Sequence, residues 1–398
     1  MTHGATEFTQ VGIIGGGPAG LILAMLLRRA GIPSVLIETR SRAYCEKRVR
    51  AGVLEHHSVA LLDTLGIGTR MHREGLVHEG VYLRFGGHSH RLDFPELTGK
   101  SIMVYGQHEV VKDLIAAHER ADDLPRYEVS QVRIADVTSD QPTIFYTDAS
   151  GAEHELRCSY IAGCDGFHGL SRGCIPPDVL RIYERVYPFA WLGILSDSPP
   201  VSPELIYAHH ERGFALYSQR SPSVQRMYLQ CAIEEDLTAW PDDRIWNELE
   251  RRLAGDAPPP LVRGAITQKG VTPMRSFVAE PMQYGRLFLA GDAAHIVPPT
   301  GAKGMNLAIA DVAVLAHALT AHIVEGDARL LDGYSATCLE RVWRTERFSS
   351  WMTSMLHRNP ADDDFGRRIQ LAELDNVVQS RAAAQNFAEQ YVGLPFPI

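Results

Sequence analysis

The alternation of apolar and polar positions predicts that the chain begins with a β-α-β unit. Residues 11–14 form a short apolar run before a glycine turn, and residues 18–30 are apolar on all sides, as in a buried helix. Residues 34–38 are predicted to form a second strand. A strand, a helix and a strand within about 30 residues are typical of a parallel sheet.

The middle of the chain has a different pattern. Residues 81–94 alternate like the strands of a hairpin, so a β excursion interrupts the first domain between predicted helices at 53–65 and 110–120. Residues 155–164 are predicted to return to the first sheet. Between residues 186 and 268, short alternating runs separated by turn residues predict an antiparallel sheet. Its strands are predicted at residues 190–195, 204–208, 214–219 and 225–232.

The last part of the chain returns to the first domain and ends in helices. Residues 287–290 are predicted as a strand of the first sheet, and helices are predicted at 305–322 and 331–357, with further helix towards residue 391. The predicted fold class is α/β with an α+β insert and C-terminal helices. The predicted domains are 1–180 (with a β excursion at about 76–100), 181–274, 275–345 as a continuation of the first, and 346–398.

Composition narrows the classes of function. The net charge of −9 disfavours nucleic-acid binding, which needs an excess of Lys and Arg. Six cysteines without a C-x-x-C pair predict free thiols in a reducing compartment, with no metal site. The N-terminus lacks the basic-then-apolar pattern of a signal peptide, and its apolar runs fall short of the roughly 20 residues of a membrane span. We expect a cytoplasmic protein that binds neither nucleic acid nor membrane.

A glycine turn between the first strand and the first helix predicts a dinucleotide site. Its first glycine permits the tight turn, its second lets backbone approach a pyrophosphate, and its third lets helix and strand pack closely. The helix N-terminus attracts the anion. Glu38, at the end of the second strand, suits hydrogen bonds to a ribose. The turn consists of Gly15, Gly16, Gly17, Pro18, Ala19 and Gly20.

Two acidic residues follow later predicted strands. Asp165 lies in the string Cys164-Asp165-Gly166, and Asp292 follows Gly291. Each alone is equally well an Asp-Gly type of turn. The glycine turn and these two acidic motifs follow one another in this order over most of the chain. In this respect the sequence resembles the FAD-dependent aromatic hydroxylases. The resemblance implies a Rossmann-like FAD-binding domain interrupted by an antiparallel-sheet substrate domain.

The loop after Asp292 is rich in Pro and Gly and leads to a predicted helix start near Gly304. A helix N-terminus aimed at a flavin would stabilise negative charge on its N1–O2 edge. An ordinary surface loop before a helix is the alternative. The resemblance implies that FAD contacts Gly15, Gly17, Pro18, Ala19, Gly20, Glu38, Arg48, Arg50, Gln107, Asp165, Asp292, Pro299, Lys303, Gly304, Met305 and Asn306.

Further strings narrow the resemblance to the branch of this family that hydroxylates 4-hydroxybenzoate. The similarity runs almost end to end, and the most specific strings are Val77-His78-Glu79, Gly166-Phe167-His168-Gly169 and Tyr391-Val392-Gly393-Leu394-Pro395. This branch implies a soluble monooxygenase that uses FAD, NADPH and O2 to form 3,4-dihydroxybenzoate through a C4a-hydroperoxyflavin.

A receptor for the benzoate carboxylate is predicted on the antiparallel sheet. Ser218 and Arg220 project to one face of a predicted strand, and Tyr228 on the next strand can reach that face. Arginine binds a carboxylate bidentately. On pattern alone, Arg220 could equally belong to a structural ion pair. The resemblance also implies that Pro299, through its carbonyl, and Thr300 lie near the reacting edge of the substrate.

Ionisation of the substrate phenol is the second predicted task. The resemblance implies that Tyr207 accepts the phenol hydrogen bond, that Tyr391 follows, and that His78 is the proton outlet. A free phenol has a pKa near 10, too high for unaided ionisation at neutral pH, whereas histidine titrates nearest neutrality. Without the resemblance, each tyrosine is equally a core residue. The predicted catalytic residues are Tyr207, Tyr391, His78 and Pro299.

NADPH is predicted to bind on the surface, because this family lacks a second complete Rossmann domain. Several arginines around one turn suit a 2′-phosphate, although a solvated charge cluster is the alternative. NADH remains open as the reductant. The residues assigned to this nucleotide are Arg40, Arg42, Tyr44, Arg48, Arg50, His168 and Arg275.

Three other functions stay open on the same scaffold. One is a sister hydroxylase for 3-hydroxybenzoate or 4-aminobenzoate, one is a flavin reductase or dehydrogenase, and the non-enzymatic one is a flavin-binding redox sensor. Apolar residues at helical spacing after residue 331 predict a core or a subunit face. Since the family commonly dimerises through this region, we expect a homodimer.

Overall fold

The computed structural model describes residues 3–48, 52–256 and 261–398. The strands, in chain order, are β1 His3–Ile14, β2 Ser34–Ile37, β3 Val53–Leu54, β4 Leu76–His78, β5 Gly80–Phe85, β6 His88–Asp93, β7 Ile102–Val104, β8 Ser130–Ala135, β9 Thr143–Thr147, β10 Glu153–Gly163, β11 Arg181–Asp197, β12 Leu205–Ala208, β13 Ala215–Ser221, β14 Val224–Cys231, β15 Ala265–Glu280, β16 Gln283–Tyr284, β17 Leu287–Leu289 and β18 His295–Ile296. The helices are α1 Pro18–Arg29, α2 Arg42–Lys47, α3 His56–Thr64, α4 Gly68–Glu74, α5 Phe94–Thr98, α6 Gln107–Arg120, α7 Asp242–Arg252, α8 Gly304–Glu325, α9 Arg329–Asp332, α10 Tyr334–Leu356, α11 Asp364–Gln379 and α12 Arg381–Val392.

The first sheet has the predicted parallel core. Its strand order is β16-β17-β10-β1-β2, and β1 runs parallel to both β10 and β2. Strand β9 pairs antiparallel with the first half of β10, and β8 pairs with β9. The predicted β-α-β start and the later return of the chain to this sheet are confirmed. The β8–β9 hairpin was not predicted.

The second sheet is the predicted antiparallel insert, but it is larger than expected. Its eight strands follow the order β18-β15-β11-β14-β13-β12-β5-β6. The β excursion of the first domain therefore joins the insert, with β5 parallel to β12. Strand β15 runs through the predicted domain boundary at residue 274. The boundaries themselves stay a prediction.

Two local predictions were wrong. The segment predicted as all strand contains helix α7, whose amphipathic sequence buries Ile245, Trp246 and Leu249 against this sheet. The helix predicted over 53–65 begins only at His56. Its first two residues instead form β3, which pairs with β7 in a small three-stranded sheet with β4. Val53 is β-branched and both residues are buried, so pairing with β7 outweighs helix propensity there.

Helices cover both sheets and divide the core in two. Helix α8 is apolar on all sides and long enough to cross a membrane by length and composition, but 72% of its most apolar window is buried inside the fold. It packs with α1 in one core. A second core lies between the eight-stranded sheet and helices α10, α11 and α12. Tyr207 and Tyr391 both lie in this second core.

The glycine turn after β1 is tightly packed at two positions. Gly15 has a φ of +111°, and a Cβ there would lie 2.3 Å from the carbonyl oxygen of Cys164. A Cβ at Gly20 would lie 2.0 Å from the carbonyl oxygen of Gly15. Only glycine lets β1, β10 and α1 approach this closely.

Replacing Gly20 with alanine should destabilise the protein. Alanine favours helix, but the backbone clash outweighs that gain, so we expect a loss of about 2 kcal/mol or more in the free energy of unfolding. Urea unfolding of the flavin-loaded protein measures it. The control is Gly173→Ala, since Gly173 is exposed and a Cβ there would meet no atom within 4 Å. It should change stability by less than about 0.5 kcal/mol. Equal effects of the two substitutions would contradict the close approach.

Candidate functional site

The glycine turn and Glu38 form one end of the site, at the carboxyl ends of β1 and β2. The backbone N–H of Gly16 donates to Glu38 Oε2 over 2.6 Å, and that of Arg40 donates to Glu38 Oε1 over 2.7 Å. A Cβ at Gly17 would meet nothing within 4 Å, so the start of α1 faces open space. Within the described residues, no side chain caps this helix. Its first N–H groups are thus available to a pyrophosphate, as FAD requires.

The two predicted acidic residues differ in environment. Asp165 Oδ2 accepts from the backbone N and from Oγ of Ser171, both at 2.9 Å. Burial raises the pKa of Asp165, and its Oδ1 has no hydrogen-bond partner among the described residues. Asp292 is exposed in the turn Gly291–Ala293. Asp292 is therefore open to a sugar hydroxyl, whereas Asp165 mainly fixes the turn after β10.

Asn306 fastens the start of α8 to the first domain. Its Nδ2 donates to the carbonyl of Val53 over 2.8 Å, and its Oδ1 accepts from the backbone N of Glu55 over 2.8 Å. Ala302, two residues before α8 begins, has a φ of +54°, in the left-handed region, which lets the loop turn into the helix. A Cβ at Gly304 would meet no atom within 4 Å. The first turn of α8, with Met305, therefore has room beside it.

Lys303 is buried and bound to protein atoms. Its Nζ donates to Glu55 Oε1 and to the carbonyl of Tyr391, each over 2.8 Å. Burial lowers its pKa, while the Glu55 carboxylate opposes that shift. Arg341 Nη2 lies 3.4 Å from the other Glu55 oxygen. Glu55 and Arg341 were not identified from the sequence. The predicted contact of Lys303 with FAD stays a prediction.

Two guanidinium groups, those of Arg220 and Arg226, lie at the predicted carboxylate receptor. Tyr207, Leu216 and Tyr228 lie side by side across β12, β13 and β14, and Ser218 pairs with Arg226 in the same way. Residues directly opposite each other share a face of the sheet. Ser218 Oγ donates to the carbonyl of Arg226 over 2.9 Å.

The positive charges of Arg220 and Arg226 both lower the pKa of Tyr228. Burial raises the pKa of Tyr228, but the two guanidinium groups outweigh it, and the pKa falls below its usual value. The guanidinium of Arg226 lies 5.2 Å from the centre of that ring. In the part of the chain that the structure describes, Arg220 Nε has no hydrogen-bond partner. Arg226 was missed, although its position two residues before Tyr228 on one strand could have indicated it.

The predicted tyrosine pair is formed. The hydroxyl oxygens of Tyr207 and Tyr391 lie 2.6 Å apart, and both side chains are 1% exposed. Burial raises the pKa of both, so both hydroxyls are protonated at neutral pH. The Tyr391 ring stacks on Phe94 with centroids 5.2 Å apart. A pair of neutral hydroxyls can each donate one proton and accept another.

His78 lies deeper than an outlet to solvent would. Its side chain is fully buried, and burial lowers its pKa to about 4. Neither ring nitrogen has a hydrogen-bond partner in the described structure. Its Nδ1 lies 3.5 Å from Oε2 of Glu204, a residue that sequence reasoning missed. His78 is therefore a neutral imidazole beside a carboxylate, without its own contact with water.

The Pro299–Gly301 turn contributes two predicted groups. The carbonyl of Pro299 accepts from the backbone N of Ala302 over 3.0 Å, which leaves one lone pair for another donor. Thr300 is buried, and its Oγ accepts from Thr353 Oγ over 2.9 Å.

The arginines near α2 differ in how readily they could bind the phosphate of a nucleotide. Arg42 donates to both carboxylate oxygens of Glu119 over 2.9 Å and to Glu46 over 2.8 Å. A 2′-phosphate would have to compete with these carboxylates for Arg42. Arg40 and Arg48 are exposed, and the guanidinium of Arg40 lies 5.3 Å from the ring centre of Tyr44. Arg50 lies outside the described residues.

The remaining predicted residues lie elsewhere on the first domain and at its border. Arg275 lies 5.0 Å over the Phe167 ring and 3.3 Å from Glu184, and the exposed His168 ring lies 5.0 Å from the same phenylalanine. Gln107 is the first residue of α6.

Comparison with known proteins identifies the family of this chain. The FAD binding domain family matches residues 8–349. p-Hydroxybenzoate hydroxylase from Acinetobacter baylyi is 47% identical over 394 residues, which cover 99% of this chain and 97% of that protein. 6-Methylpretetramide 4-monooxygenase from Streptomyces rimosus is 26% identical and covers 87% of this chain and 84% of that protein.

The crystal structure of p-nitrophenol 4-monooxygenase from Pseudomonas putida DLL-E4 has the same fold. It superposes with a TM-score of 0.83 at 21% identity, covering 98% of this chain and 100% of that one. A family match over most of the chain and a nearly full-length relative lead to one assignment. The chain belongs to the FAD-dependent aromatic hydroxylases and carries their FAD binding domain.

Proposed function

We propose that this protein is a 4-hydroxybenzoate 3-monooxygenase. It converts 4-hydroxybenzoate, NADPH and O2 to 3,4-dihydroxybenzoate, NADP⁺ and water. The observation that carries the proposal is the placement of two guanidinium groups beside Tyr228, which lies in the same row of the sheet as Tyr207, whose hydroxyl contacts that of Tyr391 on α12. In 4-hydroxybenzoate the carboxylate and the phenol lie at opposite ends of the ring. The guanidinium groups can therefore bind the carboxylate while the tyrosine hydroxyls bind the phenol. The 47% identical Acinetobacter baylyi p-hydroxybenzoate hydroxylase supports the same substrate.

Arg220 binds the carboxylate in this proposal. Neither Arg220 nor Arg226 forms an ion pair among the described residues, so the sheet face carries positive charge that a ligand anion would neutralise. A buried charge is costly unless it is paired. Tyr228 can donate its hydroxyl to the same carboxylate. Ser218 would rotate its hydroxyl away from the Arg226 carbonyl to do so.

Tyr207 and Tyr391 remove the phenol proton. Register places Tyr207 one row from Ser218 along β13, about 7 Å away, and so beyond the carboxylate end of a bound ring. The Tyr207 hydroxyl accepts the phenol hydrogen bond and donates to Tyr391. The proton leaves towards His78, and the ring becomes an electron-rich phenolate.

FAD supplies the redox chemistry when it is bound, because it accepts hydride from the nicotinamide nucleotide and activates O2 for transfer of one oxygen atom to the ring. The glycine turn, Glu38 and Asp292 would hold its nucleotide part, and the first turn of α8 its ring system. The apolar wall of the second core keeps water from the reacting groups.

Exposed Arg40 and Arg48 would bind the 2′-phosphate of NADPH. We also propose a cytoplasmic homodimer that associates through the C-terminal helices. In its support, α11 leaves Phe365 73% and Ile369 56% exposed. Apolar side chains exposed to this degree favour a contact with another surface.

The direct test measures NADPH oxidation by the flavin-loaded protein with and without 4-hydroxybenzoate, and separates the products by chromatography. We expect stimulated oxidation and an equal amount of 3,4-dihydroxybenzoate. The same assay with NADH, 3-hydroxybenzoate and 4-aminobenzoate tests the reductant and the sister hydroxylases. Oxidation that no aromatic acid stimulates would instead favour a flavin reductase or a redox sensor.

Tyr207→Phe should bind 4-hydroxybenzoate and form little hydroxylated product, because the phenol loses its proton acceptor. General base catalysis contributes typically about 100-fold or more, so product formation should fall by that order. Single-turnover product analysis measures it. The control is Tyr217→Phe, since Tyr217 is buried on the opposite face of the same sheet and bonds to the backbone of Val201. A Tyr207 variant that hydroxylates at the parent's rate would remove the role of phenolate formation.

Arg220→Gln should weaken 4-hydroxybenzoate binding by about 1.5–3 kcal/mol, which is roughly 10- to 150-fold in Kd. Titration of the flavin absorbance with substrate measures this affinity. The uncharged analogue 4-hydroxybenzamide serves as the control ligand, since it has no carboxylate to lose. A similar loss of affinity for both ligands would show that Arg220 does not bind the carboxylate.

A further inference from the structure

The proton path that ends at His78 lacks a route to solvent. The exposed fraction of Tyr207, Tyr391 and His78 is at most 1%. A proton that reaches His78 needs a further acceptor, since the imidazole must release one proton to accept another. The group that completes the path must be close to the His78 ring and must also be connected to the surface.

Glu204 meets the first condition. It directly precedes β12 and is 5% exposed, and its Oε2 lies 3.5 Å from His78 Nδ1. That oxygen has no hydrogen-bond partner among the described residues. The charge of Glu204 also contributes to the raised pKa of Tyr391, so the carboxylate acts electrostatically on that hydroxyl as well.

Arg91 meets the second condition. Its Nη2 donates to Glu204 Oε1 over 3.0 Å, and its side chain is 33% exposed. Its Nη1 pairs with Asp93, whose side chain is 38% exposed. Glu204 and Arg91 thus link the buried imidazole to charged groups in contact with water.

We infer that Glu204 carries the substrate proton from His78 to solvent, and that Arg91 is the positioning residue that holds its carboxylate. The inference rests on the proposed function. The phenol gives its proton to Tyr207 as Tyr207 gives its own to Tyr391. Tyr391 gives its own to His78 after a side-chain rotation that brings the two groups into hydrogen-bond contact, because neither ring nitrogen of His78 has a partner among the described residues. His78 releases its other ring proton to Glu204, and Glu204 passes it to water. Each protein group keeps its number of protons, and the net result is one phenolate and one released proton. His78 ends as the other tautomer, so its ring and the two tyrosine hydroxyls must reorient before the next turnover.

A purely structural role accounts less well for this arrangement. Buried carboxylates in proteins have their oxygens hydrogen-bonded, and an unpaired one is costly. The groups that face Glu204 are His78 on β4, Arg91 on β6, Tyr391 on α12 and the backbone N–H groups of Glu79 and Gly80. Of these, only Arg91 is a cation. One oxygen of Glu204 is therefore held by Arg91 while the other remains free for the imidazole.

The test compares Glu204→Gln with Glu79→Gln in the flavin-loaded protein. Glu79 is an exposed glutamate next to His78, so it controls for loss of one charge nearby. Stopped-flow mixing with 4-hydroxybenzoate follows phenolate absorbance and, with an indicator dye, the released proton. We expect Glu204→Gln to bind substrate with nearly the parent's Kd and to release the proton about 100-fold more slowly. Glu79→Gln should match the parent, and Glu204→Asp should recover much of the rate.

Proton release from Glu204→Gln at the parent's rate would overturn the inference. If Glu204→Gln does not fold, as judged by its flavin spectrum and unfolding midpoint, Arg91→Gln provides the same test from the outer end of the path. It should slow release severalfold without changing Kd, and an unchanged rate would again overturn the inference. If the parent itself forms no phenolate with 4-hydroxybenzoate, then the proposed function has failed rather than the assignment of Glu204.

Discussion

A buried ammonium group holds three parts of the fold together. Lys303 Nζ bonds to Glu55, which precedes α3, and to the backbone of Tyr391 in the last helix. A charge in this position is tolerated only because its partners are present, so the loop before α8, the first domain and α12 are tied to each other. The contact with Lys303 fixes the backbone of Tyr391 and so helps to position its hydroxyl. The distance between the two tyrosine hydroxyls therefore depends on an ion pair on the other side of Tyr391.

The site combines two kinds of electrostatic environment. At Arg220 and Arg226, positive charge exceeds negative charge, and a carboxylate ligand would complete the balance. At Tyr207, Tyr391 and His78, burial favours the neutral form of each group. One end of the site thus favours a charged part of the ligand, and the other end moves a proton between groups that remain uncharged.

Local patterns in the sequence were sufficient for the glycine turn, the parallel sheet and the antiparallel insert. Resemblance to the family, rather than any local pattern, indicated Tyr207 and Tyr391, although 184 residues separate them. Sequence reasoning failed where a residue's role depends on a distant neighbour. Glu204 gains its proposed role from its neighbours His78 and Arg91. Arg42 is bound to Glu119, which makes it less available to a nucleotide phosphate. Nothing in the local sequence marks such pairings. Helix α7 was missed because its polar face resembles a loop.

The pairing of β5 with β12 has a further consequence. The hairpin β5–β6 comes from the first part of the chain, yet it forms the edge of the insert's sheet. The eight-stranded sheet is therefore built from two stretches of the chain that are far apart in sequence, joined by the backbone hydrogen bonds between β5 and β12. The insert cannot complete its sheet without the hairpin from the first part of the chain, so the two parts must fold as one cooperative unit.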